Sequence, residues 1–526
     1  MFNNIKTRFM KTIALCVLSV LAGLFFTISS SAQNLEYKIG EPIAIDKKNG
    51  FSYAGYDDLN FYILKKERVK RDVLGTLECY SRTTLAKIFS TPLNLEVTGN
   101  DEYHLVKVLS KKNKIQLFYS YTDKKEKVAV LMVSLYDMKG NQISKSLQLM
   151  EHDASTPMSE MMFDVRELQG SEYIMISQNR QKSGFSPKGV AETRIYNAEM
   201  SVVNSYEMEY NARDGMTSYS PIYCNENKDI YAFSFHFTMT GEITDLAMGI
   251  LKKGEKEFKL IKTIDEKKYY LYNYSSDRYL DFVSVSPEGK IIVVMLYSDD
   301  KKASRNSELN GVASFVFDSR NSRWEKQSFT KFINSGDEKK KNTENTLKEY
   351  RLRKIEHSDN DSWRIMLERL HVINLGTSPG SISSNETQLY QYTNICEIRL
   401  NKELKITSQK YLFKNQKVSG DQAIYTGFIS LSKNDKTYIF YNDKEENLNR
   451  NDDDVKSIND SFKKKAIPCI ATVDATGVNK AAFFQEYQGS KFALIEPSSS
   501  LRMSNNEVIT ILSIDDDERF VKLMIR

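Results

Sequence analysis

The chain has 526 residues, of which 40% are hydrophobic and 27% charged, and its formal net charge is +5. A charge so close to balance argues against a polyanionic partner, because nucleic-acid-binding proteins concentrate Lys and Arg on one face. The short basic runs at 339–341 and 463–465 lie beside acidic residues and are interpreted as solvated loops, so we expect no nucleic acid partner.

The first 32 residues have the layout of an export signal. Lys6, Arg8 and Lys11 precede an apolar run from Thr12, and small residues lead up to Ala32. This pattern predicts a secretory signal peptide over residues 1–32, which leaves residues 33–526 as the mature chain. Removing it takes away three positive charges and no negative one, so the formal net charge falls from +5 to +2.

The same segment bears on membrane attachment. Leu15 precedes Cys16, where a lipoprotein needs a small residue before its acylated cysteine, so we expect no lipid anchor. No later stretch approaches 18 consecutive apolar residues, so we expect no transmembrane anchor in the mature chain. The sequence therefore predicts an exported monomer, periplasmic or extracellular.

Eight polar turns recur along the mature chain at intervals of 55 to 74 residues. Asn, Asp and Gly tolerate positive φ in tight turns between antiparallel strands. The turns are centred on Asp58, Asn113, Gly170, Asn227, Gly289, Asn360, Asn434 and Asn505. Eight related units are therefore predicted.

A second turn recurs later in the units. It reads "YDMKGNQI" from Tyr136, "YNAEMSVV" from Tyr196, "LKKGEKEF" from Leu251, "FDSRNSRW" from Phe317, "LNKELKIT" from Leu400 and "VDATGVNK" from Val473. Each follows one apolar run and precedes another. A unit is therefore predicted to hold four antiparallel strands, with a tight turn after the first strand and after the third.

Four-stranded units repeated in this way are typical of β-propeller blades, because a single blade cannot bury both of its faces and a closed ring can. We predict an all-β chain with one propeller of eight blades. Seven is the alternative, because "FSYAGY" from Phe51 is a poor first strand. The last unit is one strand short, and Leu35–Ile45 belongs to no unit, so we expect this N-terminal strand to complete the last blade and close the ring.

Two segments depart from this pattern. The segment "PMSEMMFDVREL" from Pro157 has apolar spacing that suits a short helix, and "NTENTLKEYRLRKI" from Asn342 suggests a helical or disordered insertion. Longer insertions begin at His371 and Asn442, between second and third strands. Such connectors emerge on the same face as the links between blades, which we call the long-loop face. Binding residues tend to lie on loops above a rigid scaffold, so this face is the expected site.

The chain resembles secreted bacterial β-propellers, and no specific characterised family is indicated. It lacks the paired Gly-His and Trp-Asp of WD40 repeats and the Gly-Gly of kelch repeats. The hairpin "FDSRNSRW" is similar to the Asp-box of sialidases, but Asn321 lies where Gly is wanted and the other turns lack the aromatic residue. We keep the hairpin chemistry and reject the sialidase assignment.

Metal and cofactor sites are not indicated. The five histidines, His104, His152, His236, His357 and His371, include no pair at i, i+4, and zinc needs three or four clustered ligands. The acidic stretch from Asn449 lacks the Gly and Glu of a calcium-binding hand. We expect no cofactor and no metal. The four mature cysteines fall in different units, and we expect free buried thiols, since Cα separations near 5.5 Å are needed for a disulfide.

Two function classes remain open. We favour a non-enzymatic binding or scaffold module for an envelope protein or glycan, because no nucleophile motif is present. The alternative is a secreted carbohydrate-active enzyme, a hydrolase or lyase, with a carboxylate pair in the propeller mouth, for which Asp153, Asp214 and Asp421 are candidates in predicted long loops.

A cluster of tyrosines in "KKYYLYNYSSDRYL", from Lys267, gives the candidate binding residues. Tyr269, Tyr272 and Tyr274 offer flat apolar rings and hydroxyl groups that suit protein or sugar contacts. Alternation of Tyr270, Tyr272 and Tyr274 as one side of a strand packed between blades is the competing interpretation.

Overall fold

The protein is described by a computed structural model over residues 35–526. The exceptions are 44–50, 70–71, 94–102, 124, 154–162, 169–170, 182–187, 212–215, 238–242, 256, 264–269, 273–282, 287, 300–307, 334–346, 359–361, 376–386, 419, 451–453, 460–461, 485–486, 488–489 and 516. The predicted signal peptide, residues 1–32, lies outside the described residues. Within them, no helix has the length and apolar character needed to cross a membrane.

In the described part of the chain, the strands form eight four-stranded antiparallel blades in a ring, an eight-bladed β-propeller. The prediction of eight blades is confirmed, and the alternative of seven is wrong. Strand β1 (Leu35–Ile43) precedes the first blade, which consists of β2 (Phe51–Tyr56), β3 (Asn60–Val69), β4 (Asp72–Ser81) and β5 (Lys87–Leu93). The second blade consists of β6 (Tyr103–Lys111), β7 (Lys114–Asp123), β8 (Val128–Asp137) and β9 (Leu147–Asp153).

The next three blades continue in the same order along the chain. Blade 3 consists of β10 (Phe163–Glu167), β11 (Ile174–Gln181), β12 (Lys188–Tyr196) and β13 (Val202–Asn211). Blade 4 consists of β14 (Met216–Cys224), β15 (Ile230–Phe237), β16 (Ile243–Leu251) and β17 (Lys259–Lys262), and β18 (Tyr270–Tyr272) follows it. Blade 5 consists of β19 (Val283–Val285), β20 (Lys290–Ser298), β22 (Gly311–Asp318) and β23 (Arg323–Lys331), with β21 (Glu308–Leu309) in its long connector.

The last three blades carry the larger additions. After β24 (Leu347–Lys348), blade 6 consists of β25 (Tyr350–Ser358), β26 (Ser362–Leu375), β27 (Thr387–Leu400) and β28 (Ile406–Leu412). Strand β29 (Gln416–Val418) and a 3-10 turn (Gly420–Tyr425) lead to blade 7, which consists of β30 (Ile429–Lys433), β31 (Lys436–Asp443), β33 (Ile467–Asp474) and β34 (Gly477–Ala482). Between β31 and β33 lie a 3-10 turn (Glu445–Asn447), β32 (Ile458–Asn459) and a short helix (Phe462–Lys465). Blade 8 contains β35 (Ala493–Ser504), β36 (Glu507–Ile514) and β37 (Asp517–Ile525).

The first strand of the chain closes the ring, as predicted. Strand β1 pairs antiparallel with β37, from Leu35 opposite Ile525 to Ile43 opposite Glu518, and so provides the fourth strand of blade 8. The pairing covers an edge of β37 that would otherwise present unpaired backbone groups.

The apolar core lies between neighbouring blades. Second strands are the most buried, because they are covered by a blade on both sides: Phe61, Tyr62, Ile63 and Leu64 of β3 are all at most 2% exposed. This double cover explains why second strands read as continuous apolar runs and not as alternating ones. Between blades 8 and 1, Phe520 packs against Phe61 and Tyr80 with ring centroids 5.0 and 4.8 Å apart.

Side chains of Asp and Asn cap the turns after third strands. The Asp137 carboxylate accepts hydrogen bonds from the backbone N–H groups of Lys139 and Asn141, at 2.8 and 2.9 Å. Asn197 accepts from Ser201 in the same way at 2.9 Å. The recurring turn in the sequence is therefore a repeated side-chain cap that fixes the hairpin register.

Both suggested helices are wrong where the structure describes them. Phe163–Glu167, at the end of the first, is strand β10, with Phe163 and Val165 buried on one side. In the second, Tyr350–Ser358 is strand β25. A β-bulge between Leu352 and Lys354 interrupts the two-residue alternation there, so the apolar spacing imitates that of a helix.

Cys79, Cys224, Cys396 and Cys469 are free and buried, as expected. They lie in blades 1, 4, 6 and 7. Burial raises the pKa of Cys79 to about 11 and that of Cys224 to about 12. Thiols held neutral in this way are structural and not nucleophilic.

Candidate functional site

The first strands of the blades line the central channel. Several neighbouring first strands contact one another around the ring, whereas the fourth strands lie at the outer edge of each sheet. Each first strand runs from the long-loop face to the opposite face, which carries the tight turns. Side chains on first strands are therefore the ones that a ligand in the channel would meet.

A cavity of about 290 Å³ lies between the first strands of blades 6, 7 and 8. We call it the channel cavity. Its walls come from β25, β30 and β35, from Glu368 and Tyr392 behind them, and from the connector Ala423–Phe428 on the long-loop side. Small-molecule sites typically span roughly 300 to 1,000 Å³, so this volume suits one small chemical group and not an extended chain.

Two consecutive residues, Arg353 and Lys354, line the channel cavity. Neighbouring residues of a regular strand point to opposite faces. Here the register of the ladder shifts at a bulge between Leu352, opposite Leu367, and Lys354, opposite Met366. A bulge re-aims side chains, which is how both cations reach the same cavity.

Glu356 is 3% exposed and holds the first group of cations. Arg502 Nη1 lies 3.0 Å from Oε1, and Arg364 Nη1 lies 3.8 Å from Oε2. Lys354 Nζ contacts Oε1, and Ser432 Oγ donates to Oε2 at 2.8 Å. Within the described contacts, three cations therefore surround this one carboxylate.

Glu368, 1% exposed, holds a second group. Its Oε2 accepts hydrogen bonds from Arg353 at 2.9 Å from Nε and 2.8 Å from Nη2, and its Oε1 lies 2.7 Å from Lys414 Nζ. The Tyr392 ring lies 5.8 Å from the Arg353 guanidinium carbon and 5.8 Å from Lys414 Nζ. Of the described side chains that line the cavity, Arg353, Lys354 and Arg502 are cations and Glu368 is the carboxylate.

Two of the cations that line the cavity have lowered pKa values. Burial, with repulsion from Arg502 and Arg364, lowers the pKa of Lys354 well below its ordinary value. Burial lowers the pKa of Arg502 to about 10, which leaves its guanidinium charged at neutral pH. A bound anion would reduce this repulsion, so the channel cavity is chemically suited to an anionic group.

The opposite wall carries hydroxyl groups and apolar surface. Thr426 Oγ1 donates to Ala423 O at 2.7 Å, and Ser498 Oγ donates to Ile424 O at 3.2 Å. A hydroxyl has a single donor, so both oxygens keep only acceptor capacity toward the cavity. Tyr392, Phe428 and Pro497 give this wall its apolar part.

Of the three predicted tyrosines, the structure describes only the strand that holds Tyr272. Tyr269 and Tyr274 fall outside the described residues. Tyr272 is in β18, which pairs with β16 at Leu271 opposite Ile243 and with β20 at Tyr272 opposite Leu296. Strand β18 thus joins blades 4 and 5 at the long-loop end of their second and third strands, away from the channel cavity.

The two candidate carboxylates that the structure describes, Asp153 and Asp421, are not brought onto neighbouring elements. Asp153 ends the fourth strand of blade 2, Asp421 lies in the 3-10 turn between blades 6 and 7, and Asp214 is outside the described residues. In the channel cavity, burial alone would raise the pKa of Glu368, but Lys414 and Arg353 outweigh it and hold the pKa below its ordinary value. Glu368 is therefore poorly suited to donate a proton. Among the described residues, no group of three or more His, Cys, Asp or Glu could hold a metal ion.

Sequence reasoning missed the whole channel cavity. A usable signal was present: "WRIMLERL" from Trp363 places Arg364 and Glu368 within an otherwise apolar second strand. Second strands are covered on both sides, so charges there must be paired inside the protein. The partners of these two charges come from blade 6, from the connector after β28 and from the first turn of blade 7, and they could not be named without the fold.

No protein-family model and no curated protein matches the sequence. Among solved structures, the chain is similar to the WD40 domain of SCAP from fission yeast, with 8% identity and a TM-score of 0.36 over 93% of this chain and 98% of that one. It is similar to the β-propeller domain of the Trilobed protease from Pyrococcus furiosus, with 9% identity and a TM-score of 0.35 over 86% and 97%. It is also similar to the polysaccharide lyase Uly1, with 9% identity and a TM-score of 0.37 over 82% and 91%. Likenesses this distant carry no argument about a ligand or a reaction.

Proposed function

We propose that this protein is an exported, non-enzymatic binding module that engages a glycan or protein of the cell envelope at its long-loop face. The observation that supports this most is the channel cavity, a concave site with convergent cations on rigid first strands. Preorganised polar groups in a concave site are the usual mark of ligand binding. We include Tyr269, Tyr272 and Tyr274 in the proposed contact surface, as predicted from the sequence.

The test measures saturable binding of the mature protein to isolated envelope fractions by co-sedimentation. We expect binding that falls at least tenfold when Tyr269, Tyr272 and Tyr274 are replaced by Ala, or when Arg502 is replaced by Gln. Arg82→Gln is the matched control, because Arg82 makes a similar ion pair with Glu507, at 3.0 Å, near the turn face. Absence of saturable binding, or equal loss in the control, would refute the proposal.

The melting temperature of each variant separates binding from folding. The triple tyrosine variant should melt within a few degrees of the parent if those side chains contact a partner. A large fall would assign them to packing between blades 4 and 5. The enzyme alternative predicts release of reducing ends or unsaturated products from envelope glycans, and such turnover would replace the binding proposal.

A further inference from the structure

The channel cavity has hydrogen-bond donors at one end and acceptors at the other. Arg353, Lys354 and Arg502 are donors only. The other end, which we call the hydroxyl wall, offers Thr426 of the connector and Ser498 of β35. Their hydroxyl groups already donate to the connector carbonyls of Ala423 and Ile424. A ligand that satisfies both ends needs an anionic acceptor group and, on the same small molecule, several donors.

The donor end and the acceptor end of the cavity lie at different depths in the channel. Ser498 precedes Arg502 by four residues on β35 and lies in a bulge between Glu496 and Ser500, so it is nearer the start of the strand than Arg502. The hydroxyl wall therefore lies toward the long-loop face, and the cations lie deeper. A ligand that enters from the long-loop face would direct its anionic end inward.

From this layout we propose that the channel cavity binds the carboxylate-bearing sugar residue of an acidic glycan, such as a terminal hexuronic acid. The inference rests on the proposed binding function and names its ligand class. The sugar carboxylate lies against the Arg353 and Arg502 guanidinium groups. Arg353 also pairs with Glu368, and Arg502 also pairs with Glu356 and donates to the Ser430 carbonyl, so the ligand shares these cations with the buried carboxylates. The sugar hydroxyls donate to Thr426 and Ser498, and one face of the sugar ring lies on Tyr392 or Phe428.

The same layout disfavours other classes of ligand. Sulfate carries no donor at neutral pH and leaves the hydroxyl wall without donors. Inorganic phosphate keeps one or two P–OH groups, but they lie beside its anionic oxygens, so it cannot meet both ends of the cavity at once. A protein C-terminus provides a carboxylate but a single backbone N–H beside it. A neutral sugar satisfies the hydroxyl wall but brings no negative charge to the cations grouped around Glu356 and Glu368.

The test is calorimetric titration of the mature protein with methyl β-D-glucuronide. The comparison ligands are methyl β-D-glucoside, acetate, inorganic phosphate and an N-acetylated tripeptide with a free C-terminus. We expect the glucuronide to bind at least tenfold more tightly than each of the four. Equal binding of the glucoside, or of acetate or phosphate, would overturn the acidic-sugar assignment, and so would tighter binding of the tripeptide.

Two variants locate the site. Arg502→Gln should weaken glucuronide binding at least tenfold, and Arg82→Gln should leave it unchanged. If Arg502→Gln lowers the melting temperature strongly, Ser498→Ala serves instead, because Ser498 lines the cavity, is exposed and has no ionic role. We expect Ser498→Ala to weaken glucuronide binding several-fold, because it removes an acceptor for the sugar hydroxyls, and to leave acetate binding unchanged. Full affinity in the usable variant would place the site elsewhere and overturn the proposal.

These outcomes remain distinct from those of the proposed function. Envelope binding that persists without any affinity for the glucuronide would overturn the acidic-sugar inference and leave the binding module intact. Absence of both envelope binding and glucuronide affinity would refute the binding function and the acidic-sugar inference together.

Discussion

At the scale of single residues, the protein places charges where a propeller normally has apolar side chains. Lys414 is 0% exposed and Glu368 is 1% exposed, and the two lie 2.7 Å apart. Removing both charges from water is costly, and their attraction offsets that cost only while both are present. The stability of this region therefore depends on complete pairing.

Replacing Glu368 by Gln should lower the free energy of unfolding by about 3 to 5 kcal/mol, because Lys414 and Arg353 then keep buried charges without a counter-charge. Urea denaturation measures this. Glu403→Gln is the control, since Glu403 is half-exposed, 4.0 Å from Lys402, and its loss should cost under about 1 kcal/mol. The double change Glu368→Leu with Lys414→Met should recover part of the loss, because it removes the buried Lys414 charge and leaves that of Arg353. A loss below about 1 kcal/mol for Glu368→Gln would contradict this account.

Asp443 gives a prediction about pH. Burial raises its pKa to about 6 in the folded protein, despite hydrogen bonds from Asn447 and the Lys444 backbone. A raised folded pKa means that the folded state binds the proton more tightly, so this residue's contribution to stability is lost as pH rises through 6. Asp443→Asn should abolish that component, which is about 3 kcal/mol at most.

The measurement is the difference in unfolding free energy between Asp443→Asn and the parent at pH 5, 6 and 7.5. The unfolding free energy of Asp443→Asn, relative to that of the parent, should increase from pH 5 to pH 7.5. Carboxyl groups with a lowered pKa, such as Glu368 and Glu507, change the stability at lower pH. Their contributions are the same in the variant and the parent and therefore cancel in the difference. A pH-independent difference would show that Asp443 is not buried as described.

At the scale of elements, strand β1 is the closing piece of the ring. Deleting Leu35–Ile43 should lower the melting temperature sharply, because it exposes the edge of β37 and opens blade 8. A synthetic peptide of the same sequence, added in excess, should restore part of the loss by mass action. Glu36→Gln, which removes only the exposed pair with Arg526 at 2.8 Å, is the control and should change little. An unchanged melting temperature after the deletion would refute the closing role.

The elements were largely predictable, and the reasons are physical. Ile291–Tyr297 in β20 is a continuous apolar run because a blade covers each side, and similar runs occur in the second strands β3 and β31. Turn positions followed from Asp and Asn, whose side chains cap the backbone locally. Strand β25 was misread because its bulge breaks the alternation that identifies strands.

The site was not predictable by the same means. Arg502 and Glu356 are 146 residues apart, and their contact depends on the order of blades around the ring. Local pattern carries no information about which first strands become neighbours across the channel. The tyrosine cluster attracted attention because it is local, and its role stays a prediction.

At the scale of the whole molecule, the four cysteines report on the separation of the blades. Native protein at pH 8 should not react with a thiol reagent, because all four sulfurs are buried. After unfolding without reductant, the mature chain should show four reactive thiols, given that Cys16 belongs to the predicted signal peptide. A count of two or zero would mean that cysteines of different blades are bridged, which the ring does not allow.

The closure by β1 also sets an order of events in time. Leu35 pairs with Ile525, a separation of 490 residues, so the first strand made must wait for the last. At the ordinary rate of synthesis, about 5 to 20 residues per second, that wait lasts roughly 25 to 100 s. During it, β1 is a strand without its partner. Its Glu36, Lys38, Glu41 and Pro42 are features that discourage pairing with another chain. The sequence of this strand therefore suits the incomplete chain, in which β1 has no partner, as well as the closed ring.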